Sequence, residues 1–404
     1  MSPPITKLTN GAVAAIIDAN NTNGIFSKKL CEDYPMVKDL DPRKGQNTSP
    51  LPPFYLLPDL VADCPYLPDR SPHQKTVSPA SDEWFLHHAH YDATKTAKLY
   101  GLKAGNLTAA CYPTADEFHL RAVADYLNWL FNMDDWMDDL GEKATERMKE
   151  VCMDAMREPE TYVTDKKGGI MTKCYTSRLQ KTAGPGCLQR FIDNMSLFFD
   201  AVIVQSSDRM NEKTPTLEEY IDVRRDTSGC KPCFQLAEYV GRFDLPQKVV
   251  DNERIMRMEQ STNDLVTWSN DIFSYDKEQI RDDTHSMIPV TMIHYGLNLQ
   301  EAVNFVGQMC SQAIQNFAHD RKCLEEEAEK ELGWDKEVIE MVRKYADGLE
   351  HWISGSLHWS FETERYFGKR GQEVKKNRIV NLSPKLPKAN TATKNDDNSD
   401  SLPN

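Results

Sequence analysis

The stretch Leu120–Asp139, LRAVADYLNWLFNMDDWMDD, decides how the rest of the chain is read. Leu120, Ala124, Leu127, Phe131, Asp134 and Asp138 follow one another at steps of three or four residues, so they share one face of a helix. That face is apolar at its start and acidic at its end. Its final six residues, Asp134-Asp135-Trp136-Met137-Asp138-Asp139, hold four carboxylates. Isolated charges are not buried without a partner. Either the acids leave the core for solvent, as acidic runs on helix surfaces commonly do, or they face a strongly positive ligand. An EF-hand loop, which needs acids at alternate positions and a glycine, does not fit.

Working outward from this stretch, the remaining sequence is helical almost throughout. Helical patterns are expected at about 81–103 (capped by Ser81-Asp82-Glu83), from Thr114 to the acidic cluster, and at 142–157, 186–211 and 216–228. Gly229 and Pro232 break the last of these before a continuation to about 239. Further helices are expected at about 246–278, 286–296, 299–331 and 335–366, and strand signals are nearly absent. Residues 1–52 read as a weakly ordered N-terminal extension, 53–368 as one all-α domain, and the Lys- then Ser/Asn/Asp-rich 369–404 as a disordered tail. The proline-rich 51–79 reads as an irregular segment on the surface.

Composition narrows the partners. The formal charge is −14, from 48 basic and 62 acidic side chains, which argues against a nucleic-acid partner. No apolar run approaches the roughly 18 residues of a membrane span, and the N-terminus lacks the charged region of a secretory leader. A soluble, cytoplasmic protein, monomeric or homodimeric, is the expectation. Ten cysteines are scattered along the chain and expected to be reduced; Cys230-Lys-Pro-Cys233 has no second pair nearby to complete a zinc site.

Three further constellations carry chemistry. Asn270, Ser274 and Glu278 stand at i, i+4 and i+8, which lines an amide oxygen, a hydroxyl and a carboxylate along one helical face, with Lys277 beside them. Oxygen donors of this kind suit a hard cation such as Mg²⁺, as do the acids of 134–138. Arg224-Arg225 sits just before the break at Gly229 and offers a guanidinium fork to phosphate oxygens, although such pairs are commonly surface salt bridges. Arg365 and Tyr366 bring two donors to the end of the last helix.

Together DDWMDD, NDIFSYDKE, the RRDTSG break and the terminal Arg-Tyr resemble a class I terpene synthase, most closely the fungal, basidiomycete-type sesquiterpene synthases, over roughly residues 53–370. The resemblance implies an all-α helical bundle around a central apolar cavity and a lyase of fungal secondary metabolism. It implies that Asp134 and Asp138 bind Mg²⁺ with support from Asp135, and that Asn270, Ser274 and Glu278 chelate another ion. By the same likeness Arg224, 46 positions before Asn270, senses the diphosphate, Thr227 and Ser228 are linker and effector at the break, and Lys277, Arg365 and Tyr366 bind the diphosphate. Three Mg²⁺ ions would assemble with the substrate, farnesyl diphosphate. Phe85, Phe131 and Phe199 are candidate cavity aromatics. The extra Asp139 and the long N-terminal extension depart from the family pattern.

The expected reaction is ionisation of farnesyl diphosphate and cyclisation of the cation to a hydrocarbon. Residues Thr284–Val306 resemble the subgroup that closes C1 to C11 through a humulyl cation, which points to a protoilludene-type product. A chain-elongating prenyltransferase shares the bundle but would carry a second aspartate-rich motif where Asn270 and Ser274 stand. A non-catalytic helical binding protein would have no use for intact metal motifs.

Overall fold

The computed structural model describes residues 26–137, 140–211, 213–328 and 331–385. Asp138 and Asp139, and the terminal stretches 1–25 and 386–404, lie outside the described residues. In chain order the helices are α1 (Lys28–Asp33), α2 (Leu60–Asp63), α3 (Gln74–Ala89), α4 (Ala93–Leu102), α5 (Ala104–Cys111), α6 (Glu117–Met137), α7 (Glu142–Arg157), α8 (Lys167–Thr182) and α9 (Pro185–Met210). They continue with α10 (Leu217–Thr227), α11 (Cys230–Gly241), α12 (Gln247–Val250), α13 (Glu253–Gln279), α14 (Met287–Tyr295), α15 (Leu299–Glu327), α16 (Lys336–Trp359), α17 (Glu364–Phe367) and α18 (Gly371–Asn377). Among the described residues the sole sheet is one antiparallel pair, β1 (Phe54–Leu56) with β2 (Ile379–Asn381).

Capping explains where the long helices start. Asn252 opens α13 by accepting from the Arg254 and Ile255 amides, while α10 and α15 begin with capping boxes, Thr216 with Glu219 and Asn298 with Glu301. The cap of α6 is Asp116, whose Oδ1 accepts from the His119 amide at 2.9 Å, two residues later than the Thr114 expected from sequence. Helix α6 is also more deeply placed than one apolar stripe implies, with Ala122–Leu130 buried on every side. Its buried polar side chains therefore find partners, though Asn128 Oδ1 is left without one. Asp125 accepts from Arg121 and Arg178, and Asn128 donates to Ser81 and Asp82. Ser81 and Asp82 thus hold α6 from the interior of α3 and do not cap a helix. Helix α3 starts earlier than expected, at Gln74, and tolerates Pro79 because Pro79 and Lys75 four residues before it are both exposed, where water can serve the freed carbonyl. His90, in the left-handed region at φ 52°, separates α3 from α4, where the sequence pattern predicts one helix over about 81–103.

Around α6, helix α3 packs on one side and α8 on another, while α13 lies along α15 and against α16. The C-terminal end of α6, the C-terminal half of α13, the junction of α10 with α11, and α17 meet at one end of the bundle.

Both flanks are more structured than the expected boundaries at 53 and 368 allow. Phe26, Leu30, Cys31, Tyr34, Val37 and Leu40 are buried against the bundle. Past 368 the chain forms α18 and β2, then returns to α13, where the Ser383 amide and hydroxyl donate to Asp276 at 2.6 and 2.9 Å. Lysines in 369–385 mask this order from composition, because only a few apolar residues, Val374, Val380 and the half-buried Leu382, supply the packing against the core.

Candidate active site

Arg365 and Tyr366, neighbours on α17, join two walls of the site, the acidic end of α6 and the C-terminal half of α13. The Arg365 guanidinium lies 3.9 Å from Asp134 Oδ2 and 3.5 Å from Asp135 Oδ1, and its carbon sits 5.5 Å above the Phe131 ring. The buried Tyr366 hydroxyl accepts from Asn270 Nδ2 at 2.7 Å. α17 is capped by the Thr363 hydroxyl, which also reaches the Gly101 carbonyl. The pair is thus held at a fixed height over the site.

On the opposite wall Arg224 Nη2 donates to Asn270 Oδ1 at 2.9 Å and Nε to Asp271 Oδ1 at 3.1 Å. Burial works against the Arg224 charge, but the facing Asp271 carboxylate, together with Tyr220 and Glu278, outweighs that cost and raises its pKa. Asp271 is buried and oriented in turn by the Tyr220 hydroxyl and the Met287 amide. It lies inside the motif singled out from sequence, but that reading gave it no role; its place on the inner side of α13 is the signal that was available. Ser274 Oγ lies 2.8 Å from the Asn270 carbonyl and 2.6 Å from Glu278 Oε1. Glu278 Oε2 is buried with no hydrogen-bond partner. Burial, and then the charge of Asp271, push the Glu278 carboxyl up to about 7.

The junction of α10 and α11 needs glycine. Gly229 has φ +64°, and a Cβ there would meet Leu130 Cδ2 on α6 at 3.0 Å. With the helix interrupted, the Arg224 carbonyl is served by the Ser228 amide at 3.1 Å and the Arg225 carbonyl by the Ser228 hydroxyl at 3.2 Å.

Arg224, Asn270, Ser274, Glu278, Arg365, Tyr366 and Asp134 therefore surround one region. Lys277, next to Glu278 in the chain, is exposed, and among the described residues its ion pair is with Asp276, Nζ lying 3.6 Å away, and not with this set. Asp135 is paired on its other side by Lys98 Nζ at 2.8 Å from α4, a contact the sequence reading missed. Arg225 turns away and pairs with Asp264, so the two adjacent arginines have different jobs. Of the three candidate aromatics, Phe131 faces this region, beside Trp359. Phe85 is packed among Trp84, Tyr91 and Trp136, and Phe199 against Trp129 and Phe198.

The donor set suits a hard divalent cation, since it consists of carboxylate, amide and hydroxyl oxygens, and Glu278 Oε2 is a buried acceptor left without a donor. Among the described residues no three His, Cys, Asp or Glu side chains converge as a ready-made cage.

Residues 125–316 match the family model described as terpene synthase family 2, C-terminal metal binding. Sesquiterpene synthase 1 of Postia placenta is 45% identical over 334 residues, covering 83% of this chain and 96% of its own length. The chain belongs to the fungal sesquiterpene synthases, a branch of the class I terpene synthase family. Alpha-muurolene synthase of Coprinopsis cinerea is 43% identical over 86% of this chain and 82% of its own. Among solved structures, linalool/nerolidol synthase from Streptomyces clavuligerus superposes with a TM-score of 0.67 at 21% identity, over 74% of this chain and 99% of the other. At that identity the likeness establishes the all-α fold of the terpene synthases. No helix among the described residues is long and apolar enough to cross a membrane.

Proposed function

We propose that this terpene synthase ionises farnesyl diphosphate with Mg²⁺ and cyclises the resulting cation to a sesquiterpene hydrocarbon. The observation that carries the reading is the bridge made by α17. Arg365 meets the acids of α6 while Tyr366 meets Asn270 on α13, so guanidinium groups and oxygen-bearing side chains from α6, α10, α13 and α17 are brought together.

Asp134, with Asp138, and the Asn270–Ser274–Glu278 row would hold Mg²⁺ ions, three of them in the filled site. Asn270 Oδ1 has a second lone pair left after accepting from Arg224, so it can serve both. When bound, the ions supply Lewis-acid stabilisation of the departing diphosphate. Arg224 supplies a fork already oriented by Asp271, which places its charge where the negative charge develops. Arg365, Tyr366 and Lys277 would act as further donors to the diphosphate, and Arg365 would exchange its acids for phosphate oxygens as substrate enters. Phe131 presents an aromatic face beside Arg365, suited to a carbocation once the diphosphate has left, worth about 0.5–2 kcal/mol. Thr227 and Ser228, at the break where α10 yields to α11, would serve as linker and effector beside Arg224.

The expected product is closed between C1 and C11 and is of the protoilludene type, on the likeness of Thr284–Val306. Relatives of 43% and 32% identity bear the names alpha-muurolene synthase and viridiflorene synthase. Product therefore varies within the group, as it must where a shift of about an ångström redirects a reacting cation. Incubation with farnesyl diphosphate and Mg²⁺, followed by volatile analysis, tests the reading. A cyclic hydrocarbon supports it; a longer prenyl diphosphate, or no turnover, overturns it.

A further inference from the structure

We propose that the N-terminal segment Phe26–Leu40 is a strap that positions Arg224, acting through a buried relay of Tyr34, Asp264 and Arg225. The proposal rests on the reading of Arg224 as the diphosphate contact.

Arg224 sits on the last turn of a helix that stops at Gly229. No continuous ladder of backbone hydrogen bonds carries that turn into α11, so its orientation has to come from side-chain anchors. Arg225 provides one. Its Nε and Nη2 donate to the two oxygens of Asp264 at 2.8 and 2.7 Å, and its carbonyl accepts from Asn263 Nδ2 at 2.7 Å. Both anchors lie on α13, the helix that carries Asn270 and Asp271. Asp264 stands seven residues before Asp271, about 10 Å along the axis. The end of α10 is therefore gripped at two heights by two consecutive arginines.

The lower grip is completed from the N-terminal segment. The Tyr34 hydroxyl donates to Asp264 Oδ2 at 2.7 Å, and its ring meets Trp268 edge-on, with centroids 4.9 Å apart. Asp264 is fully buried, and three donors now fix its carboxylate, which leaves Arg225 one position to occupy. The same segment also holds the start of α10, because the Ser27 amide lies 3.2 and 3.3 Å from the Glu218 carboxylate oxygens. Asn316 on α15 donates to the Asp33 carbonyl at 3.0 Å, and Phe26 packs against Tyr295 on α14. One short segment thus ties both ends of the sensor helix to the body of the protein. Tyr34, Asp264 and Arg225 are positioning residues; none touches the region where the diphosphate would lie.

A double-mutant cycle tests this on the full chain. Calorimetry would measure binding of inorganic diphosphate with Mg²⁺ to the wild type, Tyr34→Phe, Arg224→Gln and the double variant, with steady-state kcat and KM for farnesyl diphosphate alongside. Tyr34→Phe keeps the ring on Trp268 and leaves Asp264 paired with Arg225. The expected result is a loss of diphosphate affinity of about threefold or more on Tyr34→Phe in the wild-type background, and none once Arg224 is absent, because coupled residues are non-additive. Glu218→Ala, at the other end of the strap, should couple to Arg224 in the same sense and serves if Tyr34→Phe does not fold. Equal losses with and without Arg224, or no loss in the wild-type background, overturn the strap while leaving the sensor in place. Unchanged diphosphate affinity in Arg224→Gln itself overturns the sensor reading and the proposal with it.

Discussion

Replacing Asp271 by asparagine changes one atom and removes the charge that faces Arg224. Asp271 is buried; its Oδ1 accepts from Arg224 Nε at 3.1 Å, and its Oδ2 from the Tyr220 hydroxyl and, at 3.1 Å, the Met287 amide. An asparagine can keep one of these oxygens. Whichever it keeps, its NH₂ group must face a donor, either the guanidinium or the Tyr220 and Met287 pair. Breaking a buried ion pair from one side costs about 3–5 kcal/mol. Arg224 retains Asn270 Oδ1 at 2.9 Å, and one acceptor survives, so the expected loss is about 2–4 kcal/mol. Urea unfolding followed by far-ultraviolet circular dichroism measures it as a lowered midpoint at unchanged slope. Under conditions where the variant is fully folded, turnover should also fall by about tenfold or more, because the fork presented to the diphosphate is no longer aimed. A midpoint within error of wild type would refute the role assigned to Asp271, and a folded variant with full turnover would refute the coupling to Arg224.

Other perturbations should behave as follows. Gly229→Ala forces a left-handed conformation and a Cβ 3.0 Å from Leu130 Cδ2, for about 1–3 kcal/mol of stability in thermal unfolding and a drop in turnover. Arg224→Lys replaces a fork by a point charge and should slow ionisation in single-turnover measurements, since the two partners on α13 can no longer be engaged together. Burial pushes the Asp82 carboxyl up to about 6, against the pull of the Asn128 amide. The folded chain therefore binds the proton more tightly than the unfolded one, and stability is lost as pH rises from about 4 through 6. Asp82→Asn keeps the acceptor for Asn128 and should raise the melting temperature at pH 7, by about 1–3 kcal/mol equivalent, and leave it unchanged at pH 4.

Chemistry encoded within a few residues was legible in the sequence. Asn270, Ser274 and Glu278 share a face because helical geometry alone puts them there, and the break at Gly229 follows from the backbone freedom of one residue. What joins distant segments was not legible. Tyr34 reaches Asp264 across 230 positions, and Lys98 reaches Asp135 from another helix. Neither spacing nor composition marks such partners. The N-terminal segment did carry a signal, since Phe26, Leu30, Tyr34 and Val37 follow the helical period. Pro35, Pro42 and the surrounding charges split that signal into one short helix and two 3₁₀ turns, so it never fills a window long enough to read. Arg224 and Arg225 show the same limit at closer range: adjacent and identical in chemistry, they are told apart by which carboxylate of α13 lies opposite.

Whether the acids of α6 and the Asn–Ser–Glu row of α13 form one metal-dependent site is tested most directly by measuring diphosphate release from farnesyl diphosphate, with and without Mg²⁺, for the wild type, Asp134→Ala and Asn270→Ala. Release that requires Mg²⁺ in the wild type and is lost in both variants, with their helical circular dichroism intact, is the predicted result. Undiminished release in either variant, or release by the wild type after chelation of divalent ions, would contradict it.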